Sequence, residues 1–258
     1  AVLSLPSFVR TIALDAVLNS FVFDFWMRSK LGGLNLNYFV IEEAPLPNPS
    51  VFESFGLLGP QLITLQLNNP SILFSQYWMI FANDSEWIRY QYWQSLWALT
   101  KHERFRVWAS IDAIIASIYG LDIDDLKWIC RDEKTDPKGF WRIDDDDPIE
   151  IRRTSLVVEA FEQLQKVGLD TFAIDGMELT KDSAQKLGPR FLEWQKPDAT
   201  KKEIKESWQE CEQHARIILG EEGFKKFMQE LESGNKESEK SESTSKKTDN
   251  GCQQDLLL

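Results

Sequence analysis

The chain has 258 residues, of which 43% are hydrophobic and 12% aromatic, and it carries a formal net charge of −12. This length and apolar content suffice for a sizeable core in one large or two small domains. The acidic balance excludes a uniformly cationic nucleic-acid binder, but it leaves room for local basic patches that bind phosphates.

The cysteines and the hydropathy of the chain indicate its cellular compartment. Cys130, Cys211 and Cys252 are widely spaced and odd in number, so the sequence predicts free thiols rather than a disulfide framework or a zinc cluster. Neither a membrane-span-length apolar run nor a secretory signal is present in the sequence. We therefore predict a cytoplasmic protein with no membrane partner. Because the chain starts at Ala1 inside apolar periodic sequence, we also expect a longer parent protein.

The N-terminal stretch predicts a helix followed by a strand. Apolar residues recur at helical spacing up to Phe25, and Gly32-Gly33 supplies the left-handed backbone that ends a helix. Residues 34–41 then alternate as a strand does, and Pro45 cannot continue a sheet ladder. We therefore expect a small strand-containing, α+β part within residues 1–49.

The middle of the chain predicts mainly helices. Residues 61–67 alternate with period two and favour a strand or an extended linker. Residues 72–81 form a short apolar helix. Thr100-Lys101-His102-Glu103 is a capping box that begins a longer helix, which Gly120 ends, and Asp122 caps a shorter one after it.

The last third predicts two further helical segments separated by irregular chain. Pro148 begins a helix that Gly168 ends, residues 168–197 are irregular, and a second capping box begins at Thr200. From residue 233 the composition is that of a disordered tail. The predicted fold class is mainly α, a bundle-like helical region with a small α+β N-terminal part and a disordered C-terminal tail. The predicted divisions are residues 1–49, 50–170, 171–232 and 233–258.

Three clusters have both a structural and a functional interpretation. The aromatic residues of 87–97 are either a stacking platform for bases or core, and core is favoured because Arg89 is the one basic residue among them. Asp144-Asp145-Asp146-Asp147 is either a cation site or a solvated turn, and the turn is favoured because no glycine-spaced ligand pattern accompanies it. Arg142, Arg152 and Arg153 either hold phosphates or neutralise this acidic turn, with neutralisation favoured.

Three segments resemble the C-terminal part of large adenine-N6 DNA methyltransferases of the type IIG restriction-modification class, at the end of the target-recognition domain and the helical region after it. The first runs from Leu18-Asn19-Ser20 through Gly32-Gly33 and closes at Pro45-Leu46-Pro47. The second contains Glu103-Arg104, Asp112-Ala113 and Tyr119-Gly120-Leu121. The third is Arg153-Thr154 with Glu159-Ala160-Phe161. The three fall in the family's order and cover residues 10–170.

The catalytic signatures of that family are missing from the sequence. It has no glycine-rich S-adenosylmethionine loop, and Asn69-Pro70-Ser71-Ile72 lacks the second proline and the aromatic residue that hold a flipped adenine. The resemblance therefore implies a segment that is inactive alone and binds no cofactor itself. S-adenosylmethionine is expected in an upstream methyltransferase domain of the same parent, which acts on double-stranded DNA.

DNA contacts are expected at the basic and amide side chains of the resembling segments. The arginines and the lysine are expected to contact phosphates, and the asparagines to contact phosphates or base edges. The residues are Arg28, Lys30, Asn35, Asn37, Arg152 and Arg153. The alternative from another class is a non-enzymatic helical scaffold whose aromatic faces dock a partner protein. A third alternative, an independent hydrolase, is disfavoured because no nucleophile, base and orienting group occur together.

Overall fold

The structure is a computed structural model that describes residues 8–31, 38–54, 58–131, 135, 139–140 and 143–248, with the side chain of residue 53 and those after 233 outside the description. Within these ranges the chain is mainly helical, as predicted, with thirteen α-helices and no strand. Short 3₁₀ turns connect several of them. The helices are α1 (Phe8–Leu18), α2 (Phe21–Lys30), α3 (Tyr38–Glu42), α4 (Pro49–Glu53), α5 (Pro60–Asn68), α6 (Ser75–Asp84), α7 (Glu86–Arg89), α8 (Lys101–Ile118), α9 (Ile123–Ile129), α10 (Arg153–Val167), α11 (Leu169–Asp175), α12 (Lys181–Leu187) and α13 (Lys201–Thr248).

The predicted N-terminal strand is wrong where the structure describes it. Residues 38–42 form α3, while residues 32–37 lie outside the described ranges. One turn of helix buries Val40 and leaves Phe39 and Ile41 exposed. A short apolar run fits either secondary structure, and a strand would need a ladder partner.

The single long N-terminal helix of the prediction is two helices. Ser20 adopts an extended backbone, and its side chain accepts a hydrogen bond from the N–H of Phe23, which caps α2. Ser20 is fully buried. The apolar periodicity continues across the break, which is why the sequence pattern does not reveal it.

The strand or linker predicted at 61–67 is also wrong. Pro60 occupies the first turn of α5, where its missing N–H is tolerated, and Leu62, Ile63 and Leu65 are all buried. A helix buried on all sides has no polar face. The alternation of apolar and polar residues at 61–67 therefore does not indicate a strand here.

The segment predicted as irregular, residues 168–197, contains α11 and α12. Thr180 caps α12 by accepting the N–H of Ser183. Helices of seven residues are too short for a periodic pattern to stand out. The predicted ends at Gly120 and Gly168 are confirmed, since both take positive φ directly after α8 and α10.

The chain divides into two compact units. The first consists of residues 1–70 and 94–199, and the second of residues 71–93 and 200–258. In the first unit α8 is central, and Ala113, Ile114 and Ile115 have no exposed surface. α5 and α10 pack against it.

In the second unit α13 packs on α6. Trp78, Phe81 and Cys211 are fully buried there. Gly220 interrupts α13 with φ 70° and ψ 165°, so the predicted helix end at Gly220 is a kink. The backbone of α13 is helical to Thr248, so the helix extends into the segment predicted as a tail. None of the described helices has both the length and the apolar character needed to cross a membrane.

Two glycines allow a test of close packing inside the first unit. Gly176 and Gly188 both have positive φ with ψ near 180°, a backbone region that strains any other residue by about 1–3 kcal/mol. A Cβ on Gly176 would lie 2.8 Å from Arg106 Nη1 and 3.0 Å from Ser110 Oγ, whereas one on Gly188 meets nothing within 4 Å.

We therefore expect Gly176→Ala to lower the urea midpoint of unfolding more than Gly188→Ala, because both variants share the strain and one adds the clash. Tryptophan fluorescence measures both midpoints. Equal losses would show that Arg106 and Ser110 move aside at no cost.

Candidate functional site

The best-defined polar site is a buried ion pair in the first unit. Asp112, in the middle of α8, is 1% exposed. Its Oδ1 accepts the backbone N–H of Phe21 at 2.8 Å, and its Oδ2 accepts Nη2 of Arg153 at 3.0 Å. The pair joins the first turns of α2 and α10 to the central helix.

Aromatic rings complete the surroundings of this pair. The Arg153 guanidinium lies 4.5 Å from the ring centre of Phe21 and 5.1 Å from that of Trp108. Both distances are within the range of cation–π attraction. The arginine is therefore held by charge on one side and by ring faces on others.

Burial and pairing act on Asp112 in opposite directions. Loss of solvent raises the pKa of the Asp112 carboxyl, while the charge of Arg153 and the Phe21 N–H lower it. Both carboxylate oxygens are occupied by partners within the chain. Asp112 is thus a positioning group and offers no open oxygen for acid–base chemistry on a substrate.

The acidic turn takes part in the same arrangement. Asp144 is 9% exposed, and its carboxylate accepts the backbone N–H of Arg153 at the start of α10. The predicted solvated turn is therefore wrong for Asp144, which stabilises a helix N-terminus. No cluster of three metal-ligating side chains occurs in the described part of the chain.

A second buried carboxylate lies in the first turn of α8. Glu103 is 6% exposed and forms ion pairs with Arg106, at 3.1 Å, and with Arg190. Arg106 also donates to the carbonyl of Asp175 at 3.0 Å. Thr100 caps α8 as predicted, but the Glu103 side chain turns to these arginines instead of completing the capping box.

The predicted DNA-binding residues that the structure describes have different surroundings. Arg28 bonds to Asp24 at 2.8 Å and to the carbonyl of Gly139 at 3.1 Å, and it lies 4.4 Å over the ring of Phe140. Lys30 is exposed, 5.9 Å from the ring centre of Trp26. Asn35 and Asn37 lie outside the described residues.

The remaining two arginines also have partners within the chain. Arg152 donates to the carbonyls of Asp147 and Asp145 at 2.9 and 2.7 Å. Burial raises the pKa of Asp144 and the charge of Arg152 opposes this rise, which agrees with the predicted neutralisation of the acidic turn. Arg153 is the partner of Asp112 described above. Arg142 lies outside the described residues. Of the four candidates that the structure describes, Lys30 has the side chain that is open to solvent.

The aromatic cluster of residues 87–97 is core in part. Trp93 and Trp97 are buried, as predicted, whereas Trp87 is 40% and Tyr90 66% exposed. The exposed pair lies at α7 in the second unit. The two ends of this short stretch therefore have different roles.

An apolar groove lies beside α2 and α9 in the first unit. Its volume is about 260 Å³, and Phe25, Trp26 and Trp128 are among its lining residues. At one wall the Tyr119 hydroxyl donates to the carbonyl of Pro45 at 2.6 Å. Burial raises the pKa of Tyr119 to about 12, so the phenol keeps its proton at a pH where an exposed tyrosine ionises.

Sequence reasoning missed the partners of the buried charges. Asp112 looked like an ordinary helical residue and Glu103 like part of a capping box, because Arg153 and Arg190 lie 41 and 87 positions from them. Arg106, the other partner of Glu103, is three residues away. The one available signal was a carboxylate on the apolar face of a strongly periodic helix. The prediction of free thiols is confirmed for Cys130 and Cys211, where burial raises the thiol pKa.

The buried pair predicts a large energetic coupling. We expect Asp112→Asn to destabilise the first unit by about 3–5 kcal/mol, because Arg153 loses its counter-charge in a desolvated site. The double variant Asp112→Asn/Arg153→Met should lose less than the sum of the two single variants. Urea unfolding followed by tryptophan fluorescence measures each loss.

A surface ion pair supplies the control for this experiment. Glu162 and Lys127 lie 3.3 Å apart with 45% and 50% of their side chains exposed, so Glu162→Gln should cost less than about 1 kcal/mol. Additive losses in the Asp112 and Arg153 cycle would contradict the coupling.

The chain was compared with protein-family models, with curated proteins and with solved structures, and none of them matches it.

Proposed function

We propose that the chain is the DNA-recognition and structural C-terminal segment of an adenine-N6 DNA methyltransferase of the type IIG restriction-modification class. The observation that supports this most is the convergence in space of the three segments that carry the resemblance. Residues 18–20, 112–113 and 153–154 are remote in sequence. They adjoin one buried ion pair, that of Asp112 with Arg153.

Several contacts of this junction are made by the resembling residues. Asp112 accepts the N–H of Phe21, directly after Ser20. Thr154, next to Arg153, is 8% exposed. Tyr119 of the Tyr-Gly-Leu segment donates to Pro45 of the proline-rich exit. A shared set of residues with such roles is expected when the resemblance concerns a folded module.

The junction supports a bracing role. It fixes the start of α2, and hence the chain that leads toward the predicted recognition residues, against the helical region of α8 and α10. Rigid support of this kind is what a recognition element needs to keep its contacts in register on DNA. In the proposal this segment supports the recognition module, and the parent's catalytic domain carries out methyl transfer.

Residues 69–72, where the sequence comes nearest to the motif that holds a flipped adenine, lie between two helical segments. Asn69 ends α5, its backbone N–H bonded to the carbonyl of Leu65, and Ser71 caps the 3₁₀ turn after it by accepting the N–H of Leu73. These residues thus terminate and begin helices. We therefore assign S-adenosylmethionine binding and base flipping to an upstream domain of the parent.

Lys30 is the described residue best suited to a phosphate contact. It is exposed at the C-terminal end of α2, and a lysine there is free to reach a DNA backbone. Arg28, Arg152 and Arg153 would have to give up contacts within the chain to do so. The proposed interface accordingly centres on Lys30, with Asn35 and Asn37 in the segment after it.

The apolar groove favours a second candidate function. Phe25, Trp26 and Trp128 would suit the apolar face of a helix from a partner protein, and the chain would then be a non-enzymatic scaffold. Salt separates the two candidates. Phosphate contacts weaken steeply as salt rises, whereas apolar docking does not.

The DNA contact at Lys30 gives a direct measurement. We expect Lys30→Glu to weaken binding of a fluorescein-labelled duplex and to reduce the dependence of log K on log salt by about one contact, because a phosphate partner is lost. Fluorescence anisotropy over a range of salt concentrations measures both.

Lys181→Glu is the matched control, since it makes the same charge change at an exposed position in the first turn of α12, where an acid is tolerated. An equal effect of both variants would show that duplex binding depends on the net charge of the chain, and it would contradict a contact at Lys30.

The nucleotide sequence upstream of the codon for Ala1 tests the parent directly. We expect it to encode a glycine-rich cofactor loop and an Asn-Pro-Pro-aromatic motif in frame. A stop codon followed by a start codon close to Ala1 would overturn the methyltransferase proposal and favour the scaffold.

A further inference from the structure

A second groove, in the second unit, combines positive charge with aromatic surface. Its volume is about 390 Å³. Arg89 and Tyr90 come from α7 and the residue after it, and Lys201, Lys205 and Trp208 come from the first turns of α13. The fold brings together two elements that are more than a hundred residues apart in the sequence.

The cations of this groove have no counter-charge within the described residues. Arg89, Lys201 and Lys205 are all exposed, and none forms an ion pair in the part of the chain that the structure describes. Glu212, the acid on the groove wall, is bonded to Arg216 at 3.2 Å instead. The chain as a whole carries a net charge of −12. Three cations close together repel one another, and together they attract an anion.

Aromatic surface lies directly beside these cations. Tyr90 is 66% exposed. Trp208 is half-buried, and its indole N–H donates to the carbonyl of Gln91 at 3.0 Å, which fixes the ring. Ile204 adds apolar surface to the same wall. The groove therefore offers an open ring and a rigid one next to three cations.

We propose that this groove binds single-stranded nucleic acid, with phosphodiesters at Arg89, Lys201 and Lys205 and an unpaired base stacked on Tyr90. Positive charge along a backbone path and aromatic rings for base stacking are the chemistry of single-strand binding. A groove of this volume is within the size range of sites that hold small ligands. This inference does not depend on the methyltransferase proposal, which concerns Lys30 and duplex DNA in the other unit.

Other anionic ligands use less of the groove. An acidic peptide would satisfy the cations and leave the face of Tyr90 uncovered. Duplex DNA keeps its bases stacked inside the helix, so it presents phosphates but no free base to the ring. The aromatic contribution therefore distinguishes single strands from both.

The test is fluorescence anisotropy of the whole chain with a fluorescein-labelled thymidine 12-mer. We expect Tyr90→Ala to weaken binding about 5- to 150-fold through the loss of one stacked base, and Tyr90→Phe to retain it. Lys205→Glu should also weaken binding and reduce the salt slope by about 0.7. Circular dichroism confirms that each variant is folded.

Lys202→Glu is the matched charge control. Lys202 lies on the same helix and is exposed, but it pairs with Glu206 at 3.7 Å and does not line the groove. We expect it to change affinity much less than Lys205→Glu. The inference is overturned if Tyr90→Ala binds as the unmodified chain does, if Lys202→Glu and Lys205→Glu act equally, or if a glutamate peptide competes as well as unlabelled strand.

Lys30→Glu separates this inference from the proposed function. It should leave binding of the thymidine strand unchanged, while it weakens duplex binding. If the unmodified chain binds the thymidine strand but not the duplex, the contact proposed at Lys30 is wrong and the groove stands. If it binds the duplex but not the thymidine strand, the groove is wrong and the contact at Lys30 stands.

Discussion

The first unit depends on the burial of one ion pair, Asp112 with Arg153. Removing two charges from water costs several kcal/mol for each ion, and only close geometry with further hydrogen bonds compensates. Here the Phe21 N–H donates to the second carboxylate oxygen of Asp112, while the rings of Phe21 and Trp108 lie against the Arg153 guanidinium. Because the pair tolerates little displacement, it sets where α2 and α10 begin relative to α8. The three segments that carry the resemblance meet at this pair.

The two units use their cations in different ways. In the first unit Arg28, Arg152 and Arg153 bond to carbonyls and carboxylates of the chain itself, so basic residues near a predicted DNA surface are mainly structural. In the second unit the cations of the α7–α13 groove face solvent beside Tyr90. Charge alone therefore does not locate a nucleic-acid contact; the partners of each charge do.

Local signals in the sequence were dependable where a backbone requirement fixes one residue type. Thr100 as a cap and Gly120 and Gly168 as helix ends were all predicted and confirmed, because caps and positive φ depend on neighbouring atoms. Periodicity failed in short or fully buried segments. Residues 38–42 and 61–67 are helical despite an alternating pattern, since a short apolar run fits both structures.

The sequence by itself determined that the chain is mainly helical, where several of its helices end, and that Cys130 and Cys211 are free thiols. The tertiary structure decided which charged side chains pair with groups inside the protein and which remain exposed at its surface. Pairing between Asp112 and Arg153, and the approach of Lys201 and Lys205 to Tyr90, join residues far apart along the chain. Such contacts arise only when helices pack, because the energy of a charge depends on burial and on its nearest partners.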